Sequence, residues 1–292
     1  MNVKATRACL LVGSWGAAIL CSAAVAISAT VPPLGTTDTF AVLGGSTVTN
    51  TGSTVVTGDL GVWPGLAITG FPPGIVNGTT HAGDAVAQQA QSDLTTAYNA
   101  VAGQACDTDL TGQDLGGMTL TPGAYCFSTS AQLTGTLNLD AQGDPDAVFV
   151  FQIASTLTTA SSAVVQFTTG GVSNCNVFWQ VGSSATLGTG SSLIGTILAL
   201  TSITLDTGAG VSGQLLARNG AVTLDTNRVD VCLVIQPPTP TPVGPTPTPG
   251  GPTPTPTPPN ATSIPTLSGG AMPVLVALIA LTGIVAIRRL AT

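Results

Sequence analysis

The residues that could perform acid–base chemistry are few, and several of them lie close together in the last third of the chain. Asp206, Asp225 and Asp230 lie near Arg218 and Arg228, a combination that a polysaccharide-cleaving enzyme could use. The chain has no glutamate, one lysine and one histidine, and all 13 of its acidic residues are aspartates. General acid–base catalysis needs groups that exchange protons near neutral pH, and this set offers almost none. The composition therefore predicts a protein that is not an enzyme and has no cofactor.

Hydroxyl-bearing residues are far more regular, because one threonine pattern occurs three times. Thr186–Thr189, Thr204–Thr207 and Thr223–Thr226 share the pattern Thr-Leu-Gly/Asp-Thr at separations of 18 and 19 residues. Gly195–Ala199 also returns 18 residues later, as Gly213–Ala217. A unit this short cannot bury its apolar side alone, so the units must stack as coils of a β-solenoid. Successive coils lie ~4.8 Å apart, so each repeated position becomes a row of like side chains on a flat wall.

The elements that must support these rows are short strands and one helix. Residues 51–61 alternate like a strand with glycine at the corners, and they predict a further coil far from the repeats in sequence. Residues 81–102 carry apolar side chains at helical spacing and predict one amphipathic helix, which Gly103 ends. The predicted fold class is therefore all-β with one helix. Four other alternating segments predict strands: 118–127, 133–139, 147–153 and 163–168.

Both ends of the chain carry sorting patterns. Residues 1–29 combine two basic residues with an apolar run and predict a signal peptide. Residues 237–263 are rich in proline and threonine and predict an extended linker. Residues 264–292 contain an apolar run at 271–287 that ends in two arginines, which predicts a membrane-spanning segment. We therefore expect an exported protein, at the cell surface or released, with membrane contact through the tail before any processing.

The cysteines predict disulfides. Loss of the signal peptide leaves Cys106, Cys126, Cys175 and Cys232, an even set in an exported protein. Three pairings are possible, and we favour Cys106–Cys126 and Cys175–Cys232, the first closing a local loop and the second joining the ends of the repeat region. A metal site is not expected, because no cysteine pair has CxxC spacing and the chain has a single histidine.

The charge distribution excludes several classes of partner. The formal net charge is −7, and only 7% of the residues are charged. Between Arg7 and Arg288 the basic residues other than histidine are Arg218 and Arg228. Nucleic acids and anionic membrane surfaces require clustered basic side chains, so neither is a predicted partner of the central domain.

Six motifs in a fixed order resemble those of the microbial ice-binding proteins. The resemblance spans about residues 35–236. It implies a discontinuous right-handed β-helix with a long α-helix packed along one wall, in which N-terminal and C-terminal segments stack out of sequence order. It also implies that the domain, residues 30–236, binds ice through a flat wall. We expect this domain to be a monomer. The tail resembles an IPTL-type bacterial sorting signal. The motifs are Gly52–Gly61, Ser92–Asn99, Leu120–Tyr125, Val148–Ile153, Asn176–Val181 and the closing repeats.

The resemblance also suggests which residues contact ice. Some members of the family carry Thr-Ala/Gly-x-Thr/Asn repeats on the ice-binding wall, and residues 51–54 fit this pattern, whereas 189–192 and 207–210 fit it in part. Aspartates accompany the row of Thr186, Thr204 and Thr223, and their hydration shells would oppose ice contact, so this row is the alternative. The corner positions are our first choice: Thr51, Ser53, Thr54, Thr189, Ser191, Ser192, Thr207 and Ala209.

A second function from a different class fits the same sequence. A surface adhesin or structural protein could use this fold without ice activity, because a fold does not by itself specify a function. A wall that is uneven or covered with aspartate would favour this alternative, whereas a flat and uncharged wall would favour ice binding.

Overall fold

A computed structural model of the protein describes residues 29–168 and 173–231. The predicted signal peptide apart from Ala29, the linker 237–263 and the tail 264–292 with its apolar run lie outside the described residues. No helix within the described ranges is long and apolar enough to cross a membrane.

Short strands make up most of the described chain, and each of the segments 51–61, 118–127, 133–139, 147–153 and 163–168 contains at least part of one. A single α-helix, α1 (Ala85–Ala102), interrupts the strands. The strands are β1 (Phe40–Gly44), β2 (Thr47–Thr51), β3 (Val55–Thr57), β4 (Asp59–Val62), β5 (Ala67–Thr69), β6 (Ile75–Asn77), β7 (Thr80–Ala82), β8 (Thr108–Asp109), β9 (Thr119–Leu120), β10 (Gly123–Phe127), β11 (Ala131–Leu133), β12 (Thr136–Leu139), β13 (Phe149–Ile153), β14 (Leu157–Thr159), β15 (Val164–Phe167), β16 (Val177–Val181), β17 (Ala185–Leu187), β18 (Ser192–Ile194), β19 (Thr196–Ala199), β20 (Ile203–Leu205), β21 (Gly210–Ser212), β22 (Leu215–Ala217), β23 (Val222–Asp225) and β24 (Arg228–Asp230).

Three parallel sheets form the sides of a β-helix. Sheet A has the strand order β7-β4-β1-β22-β19-β16-β13-β10-β8. Sheet B has the order β11-β14-β17-β20-β23-β2-β5, and sheet C has the order β6-β3-β24-β21-β18-β15-β12-β9. Apart from β7 and β8, which flank the helix and both belong to sheet A, consecutive strands of the chain go to different sheets, so a complete coil contributes one strand to each side. The cross-section is therefore three-sided.

The stack does not follow the order of the chain. The N-terminal strands β1, β2 and β3 pair with β22, β23 and β24, the last three strands of the described chain. Helix α1 then joins β7, at one end of sheet A, to β8, at the other end. The predicted discontinuous β-solenoid is therefore confirmed, and the helix is the connection that makes the discontinuity possible.

A buried glutamine holds the N-terminal segment against the C-terminal coil. Gln214 Nε2 donates hydrogen bonds to the carbonyl oxygens of Thr37 at 2.6 Å and Phe40 at 2.9 Å. Its Oε1 accepts a hydrogen bond from the Thr196 hydroxyl at 3.0 Å. Gln214 is only 2% exposed, so these bonds lie away from water. They join segments that are 174 or more residues apart in sequence.

The inner faces of the three sheets enclose one apolar core, and aromatic side chains fill part of it in register. Tyr125, Phe151 and Trp179 occupy equivalent positions on β10, β13 and β16. The rings of Phe151 and Trp179 stack with their centroids 3.9 Å apart. Trp179 Nε1 donates to the carbonyl of Ile194 at 3.0 Å, which satisfies the buried polar group.

Helix α1 packs along the outer face of sheet A. Asp84 caps its N-terminus by accepting a hydrogen bond from the Ala87 backbone N–H at 2.9 Å, and Gly103 is the C-cap. Leu94 and Tyr98 belong to the cluster that packs on sheet A, together with Phe178 and Leu198 from the sheet. The helix therefore covers this wall, which leaves two walls uncovered.

Carboxylates that anchor the helix predict a loss of stability in acid. The backbone N–H of Ala87, then His81, lowers the pKa of Asp84, and the hydroxyl and N–H of Thr36 lower the pKa of Asp93. A lowered folded-state pKa contributes stability that is present above the ordinary value and is lost as pH falls through the folded value. Burial raises the pKa of Asp38, which acts in the opposite sense. At pH values below about 4 we expect the melting temperature to decrease, and to decrease less in Asp93→Asn than in the natural protein. A pH series of thermal melts on both proteins tests this, and an equal acid response in both would contradict it.

One predicted disulfide is present and the second is partly described. Cys106 and Cys126 are bonded, with their Cα atoms 5.9 Å apart. This bond ties the segment after α1 to β10 and so holds the end of the helix near sheet A. Cys175 is also disulfide-bonded. Cys232 lies outside the described residues, so the pairing Cys175–Cys232 stays a prediction.

Candidate functional site

Among the described residues, sheet B is an uncovered wall whose central outward rows carry no charged side chain. Helix α1 covers sheet A. Sheet C presents Arg228, which pairs with Asp230, and the polar pair Gln166 and Asn138, whose side chains hydrogen-bond at 3.0 Å. The central positions of sheet B carry no charge, so this wall is the candidate for contact with an uncharged, extended partner.

A threonine row runs along the middle of sheet B. Its members lie in register on seven neighbouring strands, and most of them sit between buried apolar residues that fill the core. Thr204 shows the pattern, because Ile203 and Leu205 on either side of it are buried and it faces out. In spatial order the threonine row is Gln132, Thr158, Thr186, Thr204, Thr223, Thr49 and Thr69.

A second outward row lies beside the first and is also made of small uncharged residues. Each member precedes a member of the threonine row by two residues, so it is on the same side of the sheet. Hydrogen bonds within this row hold it in place: Thr156 donates to Ser130 Oγ at 2.8 Å, and the Ser202 N–H donates to Ser184 Oγ at 3.3 Å. This serine row is Ser130, Thr156, Ser184, Ser202, Ala221, Thr47 and Ala67.

The two rows form a regular lattice. Neighbours along a row are separated by the strand spacing of ~4.8 Å, and neighbours across the rows by ~7 Å, two residues along a strand. Adjacent hydroxyls are close enough to interact, as Thr49 and Thr223 do at 3.4 Å across the joint between the N-terminal and C-terminal segments. A methyl and a hydroxyl thus recur at fixed intervals on a stiff surface.

Comparison with known proteins identifies the family to which this chain belongs. Residues 42–230 match the sequence model of the ice-binding-like family. The chain belongs to the ice-binding-like family. This confirms the resemblance that the motifs indicated, whereas the similarity of the tail to a sorting signal stays a prediction.

Relatives of this family resemble the chain in both sequence and structure. An ice-binding protein of Nostoc sp. (strain HG1) is 59% identical over 211 residues, which cover 72% of this chain and 78% of the relative. The crystal structure of an ice-binding protein from an Antarctic biological consortium has 50% identity and a TM-score of 0.68, over 72% of this chain and 96% of the other. The ice-binding protein of the Antarctic ascomycete Antarctomyces psychrotrophicus has 43% identity and a TM-score of 0.67, over 70% and 100%.

Three of the eight corner residues that the sequence suggested for this ice-binding-like protein cannot contact ice, because they are buried. Thr54 and Ala209 are 0% exposed and Ser191 is 3% exposed. Thr54 Oγ1 accepts a hydrogen bond from the Asn227 N–H at 3.0 Å and so joins the N-terminal coil to the last repeat. A turn between two walls of a three-sided coil must direct some side chains inward to fill the corner. A tyrosine at position 54 would therefore disturb folding and would not report on ice.

The other five corner residues are exposed but do not share one flat surface. Thr51 ends a strand of sheet B, whereas Ser192 begins a strand of sheet C. Ser53, Thr189 and Thr207 lie in the turns between the two sheets, and the Thr207 hydroxyl donates to Asp225. These five side chains therefore lie around the corner between sheets B and C, and no single plane contains them.

The structure does bring together the three threonines of the alternative row. Thr186, Thr204 and Thr223 are nearest neighbours in the threonine row. The sequence pattern missed Thr49 and Thr69, because they join the row only through the out-of-order stacking of the N-terminal strands. It also missed Thr158, whose coil lacks the Thr-Leu repeat although Thr158 pairs directly with Thr186.

Proposed function

We propose that this protein adsorbs to ice through the threonine and serine rows of sheet B. The observation that carries the proposal is the threonine row itself, six threonines and one glutamine in register on an uncovered wall. A threonine methyl excludes liquid water, and its hydroxyl anchors a water molecule at a fixed position. A stiff array of such groups orders a water layer that can merge with an ice plane. The names of the relatives support the same function.

The wall avoids the main obstacle to ice contact. A charged side chain retains its hydration shell, and removing that shell costs several kcal/mol for an ion left without a partner. The two rows together present no ionisable group over seven coils. The hydration of Asp206 and Asp225 opposes ice contact only in a third row, beside the threonine and serine rows. Both aspartates follow members of the threonine row by two residues.

Thermal hysteresis and inhibition of ice recrystallisation test the proposed function. We expect the purified domain, residues 30–236, to arrest the growth of a single ice crystal and to slow recrystallisation of a frozen sucrose solution. A folded protein that does neither would overturn the proposal and favour the adhesin or structural function of the same fold.

We further propose that the protein is exported and acts outside the cytoplasm as a monomer. The Cys106–Cys126 disulfide supports this, because such bonds persist in oxidising compartments. The signal pattern at 1–29 and the apolar run at 271–287 support surface display. Fractionation of cells that express the full chain, followed by detection of the domain in membrane and medium, tests the location.

A further inference from the structure

The outward rows of sheet B end on one side at a pair of adjacent aspartates. The third row, two residues beyond the threonine row, contains Thr134, Ala160, Gly188, Asp206, Asp225, Thr51 and Phe71, of which Gly188 is buried. Asp225 pairs in register with Thr51. Asp206 and Asp225 each follow their row threonine, Thr204 and Thr223, by two residues, so they lie on neighbouring coils ~4.8 Å apart. They are the charged residues of the three outward rows within the described chain.

Neither carboxylate is neutralised by a nearby cation. Arg228 pairs with Asp230 on sheet C, and the guanidinium of Arg218 lies 4.9 Å from the centre of the Tyr98 ring under the helix. These are the two arginines of the described residues. Two like charges at neighbouring positions therefore face solvent and retain water.

The two aspartates differ in their structural role. Asp225 accepts hydrogen bonds from the hydroxyls of Thr207 and Thr226, the latter at 3.1 Å. The Asp206 carboxylate is exposed and has no hydrogen-bond partner in the described part of the chain. Its side chain therefore contributes no hydrogen bond to the corner, and no hydrogen bond explains its presence at the edge of an otherwise uncharged wall.

We propose that Asp206 and Asp225 form an acidic border that limits the ice-contacting surface to two rows and so sets the strength of the activity. This proposal rests on the proposed function. The water molecules bound to the two carboxylates would keep the third row from joining the ordered water layer. Without these charges, the small exposed or half-buried residues Thr134, Ala160 and Thr51 would extend the surface toward a third row.

A gain of activity in Asp206→Thr is the result that supports the border. We expect its thermal hysteresis to rise, but by less than the roughly 1.5-fold that a complete third row would give, since apolar contact scales with area and Asp225 still interrupts the row. Asp206→Asn, which removes only the charge, should also rise above the natural protein. Asp146→Thr is the matched control, since Asp146 lies in the loop between sheets C and A, and its activity should not change. The double variant Asp206→Thr/Asp225→Thr should give the largest rise if its melting temperature is preserved.

The outcomes separate the border from the function on which it rests. If the natural protein is active and folded Asp206→Thr and Asp206→Asn are no more active than it, the border is wrong and ice binding stands. If Asp146→Thr rises equally, the effect comes from net charge and the border is again wrong. If neither the natural protein nor the variants affect ice, the proposed function itself fails.

Discussion

Replacement of Thr204 by tyrosine is expected to abolish the effect on ice growth while leaving the fold intact. Thr204 lies in the middle of the threonine row, between Thr186 and Thr223. A tyrosine there projects above the plane of the wall and separates the rows on both sides from the ice. We expect thermal hysteresis to fall by roughly an order of magnitude or more, since central contacts dominate a flat interface.

The folding cost of this change should be small. Thr204 points away from the core and is part-exposed, so the larger side chain displaces only solvent. Aromatic residues are also favourable in strands. The melting temperature should therefore stay close to that of the natural protein, and circular dichroism should show the same β-rich spectrum.

Ser212→Tyr is the matched control. Ser212 is an exposed residue of β21, in the same coil as Thr204 but on sheet C. The same aromatic ring at this position should leave ice activity unchanged. If instead Ser212→Tyr is inactive and Thr204→Tyr is active, sheet C contacts the ice and the proposed surface is wrong. Loss of activity in Thr189→Tyr alone would identify the corner between the sheets as the ice-binding surface.

Replacement of Gln214 by leucine is expected to produce the largest loss of stability. The substitution removes the three hydrogen bonds through which Gln214 joins Thr37, Phe40 and Thr196. Buried polar groups that lose their partners cost about 1–3 kcal/mol each. We therefore expect the free energy of unfolding to fall by about 3 kcal/mol or more, and the melting temperature by about 10 °C.

Because Gln214 lies where the N-terminal segment docks on the C-terminal coil, limited proteolysis provides a second test of this prediction. The change should loosen the docking of β1 on β22, so proteolysis should cut the N-terminal segment before it cuts the repeats. Gln166→Leu is the control, because Gln166 is exposed on sheet C and makes one hydrogen bond, to Asn138. A Gln214→Leu protein as stable as Gln166→Leu would show that the buried bonds do not hold the joint.

The sequence predicted those parts of the fold that depend on local spacing. The 18- and 19-residue separations placed Thr186, Thr204 and Thr223 on neighbouring coils, and the structure pairs them directly. The helical spacing of residues 81–102 predicted α1, although the helix begins at Ala85. Val86 is apolar but 47% exposed, because the packed face of the first turn is centred on Ala87.

The distinction between the wall and its corners needed the tertiary structure. Residues 51–54 fit a family pattern in sequence and residues 189–192 fit it in part, but whether each side chain points outward depends on how the chain turns between two sheets. That turn buries Thr54 and Ser191. The aspartates that argued against the threonine row lie at its edge, a relation that only the register of the coils reveals.

Repetition in the sequence by itself determined that this chain forms a stack of coils with rows of hydroxyl groups, because the period of a strand and of a coil is a local property. The length of the row and its continuity were decided by the tertiary structure. Thr49 and Thr69 lie more than 100 residues from Thr204 in the chain, and they complete the wall because β2 docks beside β23. Such docking depends on buried contacts between distant segments, of which Gln214 is an example, and no local pattern encodes it.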